Sequence, residues 1–259
     1  MRDSNPRMPG PKPGALPLGE SPVQVKIIPV PYISVKVGGC GDRAFGALWY
    51  TVGMKQIESV IFDVGGVLHE NNTAVTQDLM NELGLSPDAI KQIWAEQIPL
   101  LGSGRMTEQE FWCQVQLAHG IRPVDPAENL LGRAFAENLV PYPQIGRIVK
   151  ELGQHGVVTA VLSNTIKPHA RALRGVGLCA DFTGPVMLSH EIGIRKPDEQ
   201  IYSYALEQLG RQPGQVMFID DDERNVAVAR KLGMNGVVFN RPEQLRAELQ
   251  EYFPWLTGE

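Results

Sequence analysis

Three short apolar runs, each ending in polar residues, limit the fold most. They are SVIFD (Ser59–Asp63), VVTAVLSN (Val157–Asn164) and QVMFIDDD (Gln215–Asp222). Runs this short, rich in β-branched residues and apolar on both faces, suit strands buried in a parallel sheet. Two lesser runs extend the series, one at Val186–Leu188 and one in GVVFN (Gly236–Asn240). Helical patterns separate these runs. One is predicted near Pro168–Arg174, one over about Asp198–Leu209, and one that reaches Leu232 and stops at Gly233. Strands alternating with helices imply α/β architecture, a doubly wound, parallel, five-stranded sheet with right-handed crossovers.

The first crossover is too long. Asp63 and Ser163 lie 100 residues apart, whereas a strand–helix–strand unit needs only about 30. Four or five helical patterns occupy the excess. Val75, Leu79 and Leu83 recur at helical spacing before Gly84. Ser86-Pro87 reads as an N-cap followed by a first-turn proline. Thr107-x-x-Glu110 reads as a capping box, and Asp125-Pro126 opens a further helix carrying Leu130, Leu131 and Ala134. An inserted helical cap domain is therefore expected over residues 71–140. The α/β core would then take 54–70 and 141–259. Ile145, Ile148, Val149 and Leu152 mark the helix that returns the chain to the sheet.

Residues 1–53 differ in character. Eight of the 20 prolines fall within residues 1–31. Such a segment buries little apolar surface and is expected to be an extended or disordered extension, with Met54 as a natural start; a partner-binding tail is the alternative. A stray strand in VQVKIIPVPYISVKV would be confined to an edge by Pro29 and Pro31. The net charge of −5 argues against a nucleic-acid surface. No apolar run approaches the roughly 20 residues of a membrane span. Cys40, Cys113 and Cys179 are odd in number and far apart, so neither a disulfide framework nor a metal pair is expected, and a reducing cytoplasm is the default setting.

Polar residues follow the carboxyl ends of the strands: Asp63, Ser163-Asn164, Lys196 after a loop, and Asp220-Asp221-Asp222. That edge is where open parallel sheets bind ligands. Carboxylates from two strands suit Mg²⁺, which takes one or two carboxylates together with substrate phosphate oxygens. A carboxylate can also act as a nucleophile, a lysine can offset charge, and a hydroxyl can hold a phosphoryl oxygen. These are the parts that phosphoryl transfer requires.

The motifs FDVGGVL, VLSNT, the lysine of IGIRKPDEQIY, and FIDDDERNV make the chain resemble the haloacid dehalogenase-like (HAD) hydrolase superfamily over residues 57 to about 245. It is most similar to bacterial members with an FDxGxV first motif and an LSNT second motif, among them sugar-phosphate phosphatases acting on α-glucose 1-phosphate. The resemblance implies that Asp63 is the nucleophile and a Mg²⁺ ligand, with Gly65 giving its main-chain carbonyl to the metal. It further implies that Ser163 and the backbone near Asn164 bind the phosphoryl group, Lys196 steadies its charge, Asp221 binds Mg²⁺, and Asp220 acts through water or from behind the ligands. The substrate expected is a small phosphorylated metabolite. Asn225 would support by hydrogen bonding, and Asp222 would cap a helix.

Position 65 departs from the family pattern. Most phosphatases of the superfamily carry a second Asp there to protonate the leaving alcohol. Its absence predicts a slow hydrolase that favours good leaving groups, or a protein that binds phosphate without turnover. A dehalogenase reading lacks the tyrosine of that subgroup, and a phosphonatase would need a cap lysine, for which only Lys91 is available. Phe111 and Trp112 are expected in the cap's core, Arg105 is a candidate to reach substrate, and His69 and His190 lie near the site loops.

Overall fold

The computed structural model describes residues 57–71 and 73–256. The extension and its stray strand lie outside them. Five strands form one sheet: β1 (Ser59–Phe62), β2 (Val158–Ser163), β3 (Val186–Leu188), β4 (Val216–Asp220) and β5 (Asn235–Val238). Their order is β3-β2-β1-β4-β5, and every pairing is parallel. β1 lies between β2 and β4, with Ser59 level with both Val158 and Val216. The strand order reverses at β1, so the crevice forms at its carboxyl end.

Alternation along the strands feeds two cores. Val60 and Phe62 join Val161, Met217 and Ile219 on one face, under α6 (Pro143–Gln154) and α11 (Pro242–Tyr252). Ile61 joins Ala160, Leu162 and Phe218 on the other, under α9 (Glu199–Leu209) and α10 (Glu223–Lys231). On α6 the residues Ile145, Ile148, Val149 and Leu152 recur at helical spacing and are at most 1% exposed. Burying each contributes about 1.5–3 kcal/mol, which fixes this helix to the sheet more firmly than its own propensity would.

Between β1 and α6 lie α1 (Ala74–Leu83), α2 (Pro87–Glu96), α3 (Ile98–Gly102), α4 (Glu108–His119) and α5 (Leu130–Glu137). They gather round a separate apolar cluster that includes Leu79, Ile93, Phe111, Trp112 and Leu131. The caps follow the sequence signals. Ser86 Oγ accepts from Ala89 N, and Thr107 and Glu110 form the reciprocal box. Two details differ from expectation. Asp125-Pro126 opens only a 3₁₀ turn, and α5 starts afresh after Asn129, whose φ is +49°. The short helix α3 has no amphipathic pattern long enough to announce it. Of the remaining helices, α7 (Lys167–Gly175) follows β2 and packs against α5, while α8 (Ser189–Ile192) follows β3. Among the described residues no helix is long and apolar enough to cross a membrane.

Candidate active site

Asp63 leaves β1 with its backbone N–H donating to Ile219 O at 2.9 Å, so its place is set by β4. Asp220 ends β4 and Asp221 follows it. The chain after Asp63 turns at Gly66, with φ +72°. A Cβ there would lie 2.3 Å from Asp221 Oδ2, so the turn brings backbone closer to that carboxylate than any other residue allows.

Lys196 comes from the loop after α8 and is 4% exposed. Its Nζ lies 2.8 Å from Asp63 Oδ1 and 2.6 Å from Asp220 Oδ2. Asn164 fixes the lysine's backbone from both sides: Lys196 N–H donates to Asn164 Oδ1 at 2.9 Å, and Asn164 Nδ2 donates to Lys196 O at 2.9 Å. The Asn164 amide thereby positions the lysine. Ser163 ends β2, is 3% exposed and lines the adjoining cavity.

Asp220 has both oxygens occupied. Besides the lysine on Oδ2, Oδ1 accepts from Asp222 N at 2.9 Å and Asn225 Nδ2 at 3.0 Å. Tyr202 OH in turn donates to Asn225 O at 3.0 Å. Asp222 caps α10 by accepting from Arg224 N. Asn225 thus supports Asp220, as its position suggested.

Carboxylate oxygens of Asp63, Asp220 and Asp221 lie within 4.8 Å of one another. The Asp63 carboxyl is raised to about 6: burial lifts it most, Lys196 pulls against that, and Asp220 adds to the rise. Burial would lower Lys196, but Asp63 and Asp220 outweigh it and hold the ammonium above its ordinary pKa. Burial, then Asp220, also raises Asp221. Three carboxylates against one ammonium leave a charge of −3 + 1 = −2 when all are ionised. That surplus, with all-oxygen donors, fits a hard divalent cation such as Mg²⁺. Within the cluster, Asp220 is engaged by its own partners on both oxygens.

A cavity of about 420 Å³ adjoins this cluster. Its wall includes Val64 and Gly65, the two residues after Asp63, together with Ser163 and Asn164, and residues of α1, α2, α3 and α5 complete it. Three wall residues carried no signal in the sequence. Asn71 Nδ2 donates to Asp221 Oδ2 at 2.7 Å. His169, on α7, stacks on Phe135 at 4.2 Å and is held neutral by burial, its pKa down at about 3. Arg195, the chain neighbour of Lys196, gives Nη1 to Ile98 O at 3.1 Å. His69 also lines the cavity, with Nδ1 against Glu70 O at 2.9 Å. His190 and Arg105 do not line it, and Arg105 is exposed on the surface. Phe111 and Trp112 are buried among the inserted helices, as expected, and Lys91 is exposed on α2.

An all-parallel α/β sheet with an aspartate–lysine–aspartate centre at its switch point defines a class of hydrolase scaffold. The chain belongs to the haloacid dehalogenase-like hydrolases, whose family model matches residues 57–233. It is 29% identical to a phosphatase of Mycobacterium tuberculosis over 73% of this chain and 90% of that protein. It is 25% identical to (S)-2-haloacid dehalogenase 4A of Burkholderia cepacia over 71% of this chain and 84% of that one. Among solved structures, it resembles in fold a HAD family enzyme from Bacteroides thetaiotaomicron, with a TM-score of 0.63, 22% identity, and coverage of 71% and 94% of the two chains.

Proposed function

We propose that this chain is a Mg²⁺-dependent phosphatase of a small phosphorylated metabolite, with Asp63 as nucleophile and residues 71–140 as a cap over the sheet edge. The carrying observation is the convergence of Asp63 and Asp221 within 4.8 Å, with Lys196 between Asp63 and Asp220. Two relatives support the reaction class, the M. tuberculosis phosphatase and a sesquiterpene phosphatase of Aspergillus oryzae that is 26% identical. The B. thetaiotaomicron enzyme has been solved in complex with magnesium and inorganic phosphate. The unpaired Cys113 and Cys179 suit a cytosolic setting.

In this reading Asp63 and Asp221, with the Gly65 carbonyl, would hold a Mg²⁺ ion, which would supply positive charge to offset that of the phosphoryl group. Lys196 keeps the Asp63 carboxylate ionised at neutral pH and aims it. An Asp63 oxygen forms a bond to phosphorus as the bond from phosphorus to the leaving oxygen breaks, giving an aspartyl phosphate and a free alcohol. Ser163 orients the phosphoryl group. Water then attacks phosphorus, releases inorganic phosphate and restores the Asp63 carboxylate. Position 65 has no carboxyl to protonate the leaving oxygen, so solvent supplies that proton. Loss of such a group costs about 10²–10⁴-fold in rate. Turnover is therefore slow and best with good leaving groups.

The same missing carboxyl favours a second reading, a phosphate-binding protein without turnover. Purified full-length protein decides between them. Hydrolysis of p-nitrophenyl phosphate that stops with EDTA and with Asp63→Asn supports the phosphatase. Full-rate hydrolysis without metal would refute the mechanism, and phosphate binding without product release would favour the second reading. A sugar phosphate as substrate rests on motif resemblance alone.

A further inference from the structure

Arg195 stands apart from the other arginines among the described residues. Each of those either pairs with a carboxylate, as Arg174 does with Glu191 and Arg246 with Glu151, or is exposed to water. Arg195 is half-buried, lines the cavity, and has no carboxylate partner among the described residues. Burial lowers its pKa, and no neighbouring charge lifts it. Taking a guanidinium out of water without an anion is costly.

The side chain is held in place. It rises from the loop after α8, and Nη1 donates to Ile98 O at 3.1 Å, at the start of α3. At the other end of α3, a Cβ on Gly102 would lie 2.7 Å from the same Nη1. The head therefore rests against an inserted helix. Nε and Nη2 have no partner among the described residues, and neither is sealed from water. Those two atoms form one edge of the guanidinium, with parallel N–H groups that match the oxygens of a carboxylate or phosphate.

The two consecutive cations serve different places. Lys196 Nζ lies between Asp63 and Asp220, and it lowers the pKa of both Asp63 and Asp221. Arg195 bears on neither carboxylate, so its charge stands off the reacting end. A cavity of about 420 Å³ has room for a ligand that spans the two.

We propose that Arg195 determines specificity: its open Nε–Nη2 edge holds a second oxyanion of the substrate, a carboxylate or a second phosphoryl group, remote from the scissile phosphate. The inference deepens the phosphatase reading and rests on it for the reacting end. The body of the carrier, hydroxylated or not, is left open.

Binding and turnover test it separately on the full chain with Mg²⁺. Calorimetric titrations compare alkylphosphonates of graded chain length with their terminal carboxylates and terminal second phosphonates. At the best length the second anion is expected to tighten binding about tenfold or more, as a bidentate charge-assisted pair would. The anion that tightens binding more identifies the group. This gain is expected to vanish in Arg195→Met and to survive in part in Arg195→Lys, which keeps the charge without the fork. Loss of the Ile98 tether alone would weaken plain and two-anion ligands alike, so an undiminished gain in Arg195→Met overturns the proposal. No gain at any length in the wild-type protein overturns it without recourse to a variant. In turnover, 4-phosphooxybutanoate is expected to exceed butyl phosphate in kcat/KM by a similar factor, since both release primary alcohols. Acetyl phosphate carries no second anion and reports on the phosphatase reading by itself. If it is not hydrolysed, that reading fails, and the phosphonate titrations still decide what Arg195 holds.

Discussion

Two adjacent glycines should respond oppositely to alanine. At Gly66 the backbone has φ +72°, and a Cβ would stand 2.3 Å from Asp221 Oδ2 and 2.6 Å from Asn71 Nδ2. Real Cβ atoms essentially never come within 3.0 Å, so the turn and Oδ2 must separate by at least 3.0 − 2.3 = 0.7 Å. Metal sites tolerate about 0.2 Å in ligand distance, and Mg²⁺ demands near-ideal geometry at about 2.0–2.1 Å. Gly66→Ala is therefore expected to weaken Mg²⁺ binding by about 10–100-fold, the range seen when support for a metal ligand is lost. The left-handed backbone adds about 1–2 kcal/mol of destabilisation for an L-residue. At Gly65 φ is not positive and a Cβ would meet only Asn71 Oδ1, at 3.4 Å. Gly65→Ala should leave stability within about 0.5 kcal/mol and Mg²⁺ affinity within about threefold. Calorimetric Mg²⁺ titration and urea melts read both quantities. Wild-type Mg²⁺ affinity in Gly66→Ala, or equal losses in the two variants, would refute the placement of Asp221 as a ligand.

Lys196→Met leaves Asp63 and Asp220, 9% and 0% exposed, without their shared cation. It should cost about 3–5 kcal/mol in urea melts at pH 7 and less at pH 5, where Asp63 takes up a proton; unchanged stability would contradict the ion pairs. His169 has a depressed pKa, so its contribution is complete above the unfolded value of 6.5 and is lost as pH falls from there towards about 3. His169→Phe should flatten the stability–pH curve in that window by up to one proton, about 1.4 kcal/mol per pH unit, whereas parallel curves would show that His169 is not buried neutral. At position 65 a Cβ meets only Asn71 Oδ1, at 3.4 Å, and Gly65→Asp should raise turnover of poor leaving groups; no change would mean that another group already acts as the acid.

The sheet and its edge were legible because parallel strands announce themselves locally. SVIF, VTAVLS and VMFID are apolar on both faces, and the polar residue that ends each run marks the carboxyl edge. Caps at Ser86 and Thr107 were equally plain, since N-cap chemistry lies within four residues. What escaped depends on approach between distant segments. Asn71 meets Asp221 across 150 positions, and Arg195 meets Ile98 across 97. No local pattern encodes such contacts. His169 carried no sequence signal, because its stacking on Phe135 comes from α5 packing on α7. The clamp of the Asn164 side chain on the Lys196 backbone, 32 residues on, likewise has no local signal. For Arg105 the sequence left substrate contact and solvent exposure equally open, and the residue is exposed.

The central claim is that Asp63 attacks phosphorus beside a divalent ion. Rapid acid quench of the full chain turning over radiolabelled acetyl phosphate tests it most directly, with the labelled peptide located by mass spectrometry. Label that sits on Asp63, is released by hydroxylamine, and needs Mg²⁺ to form is the predicted result. Label on any other residue, or label that forms equally well in EDTA, would contradict it.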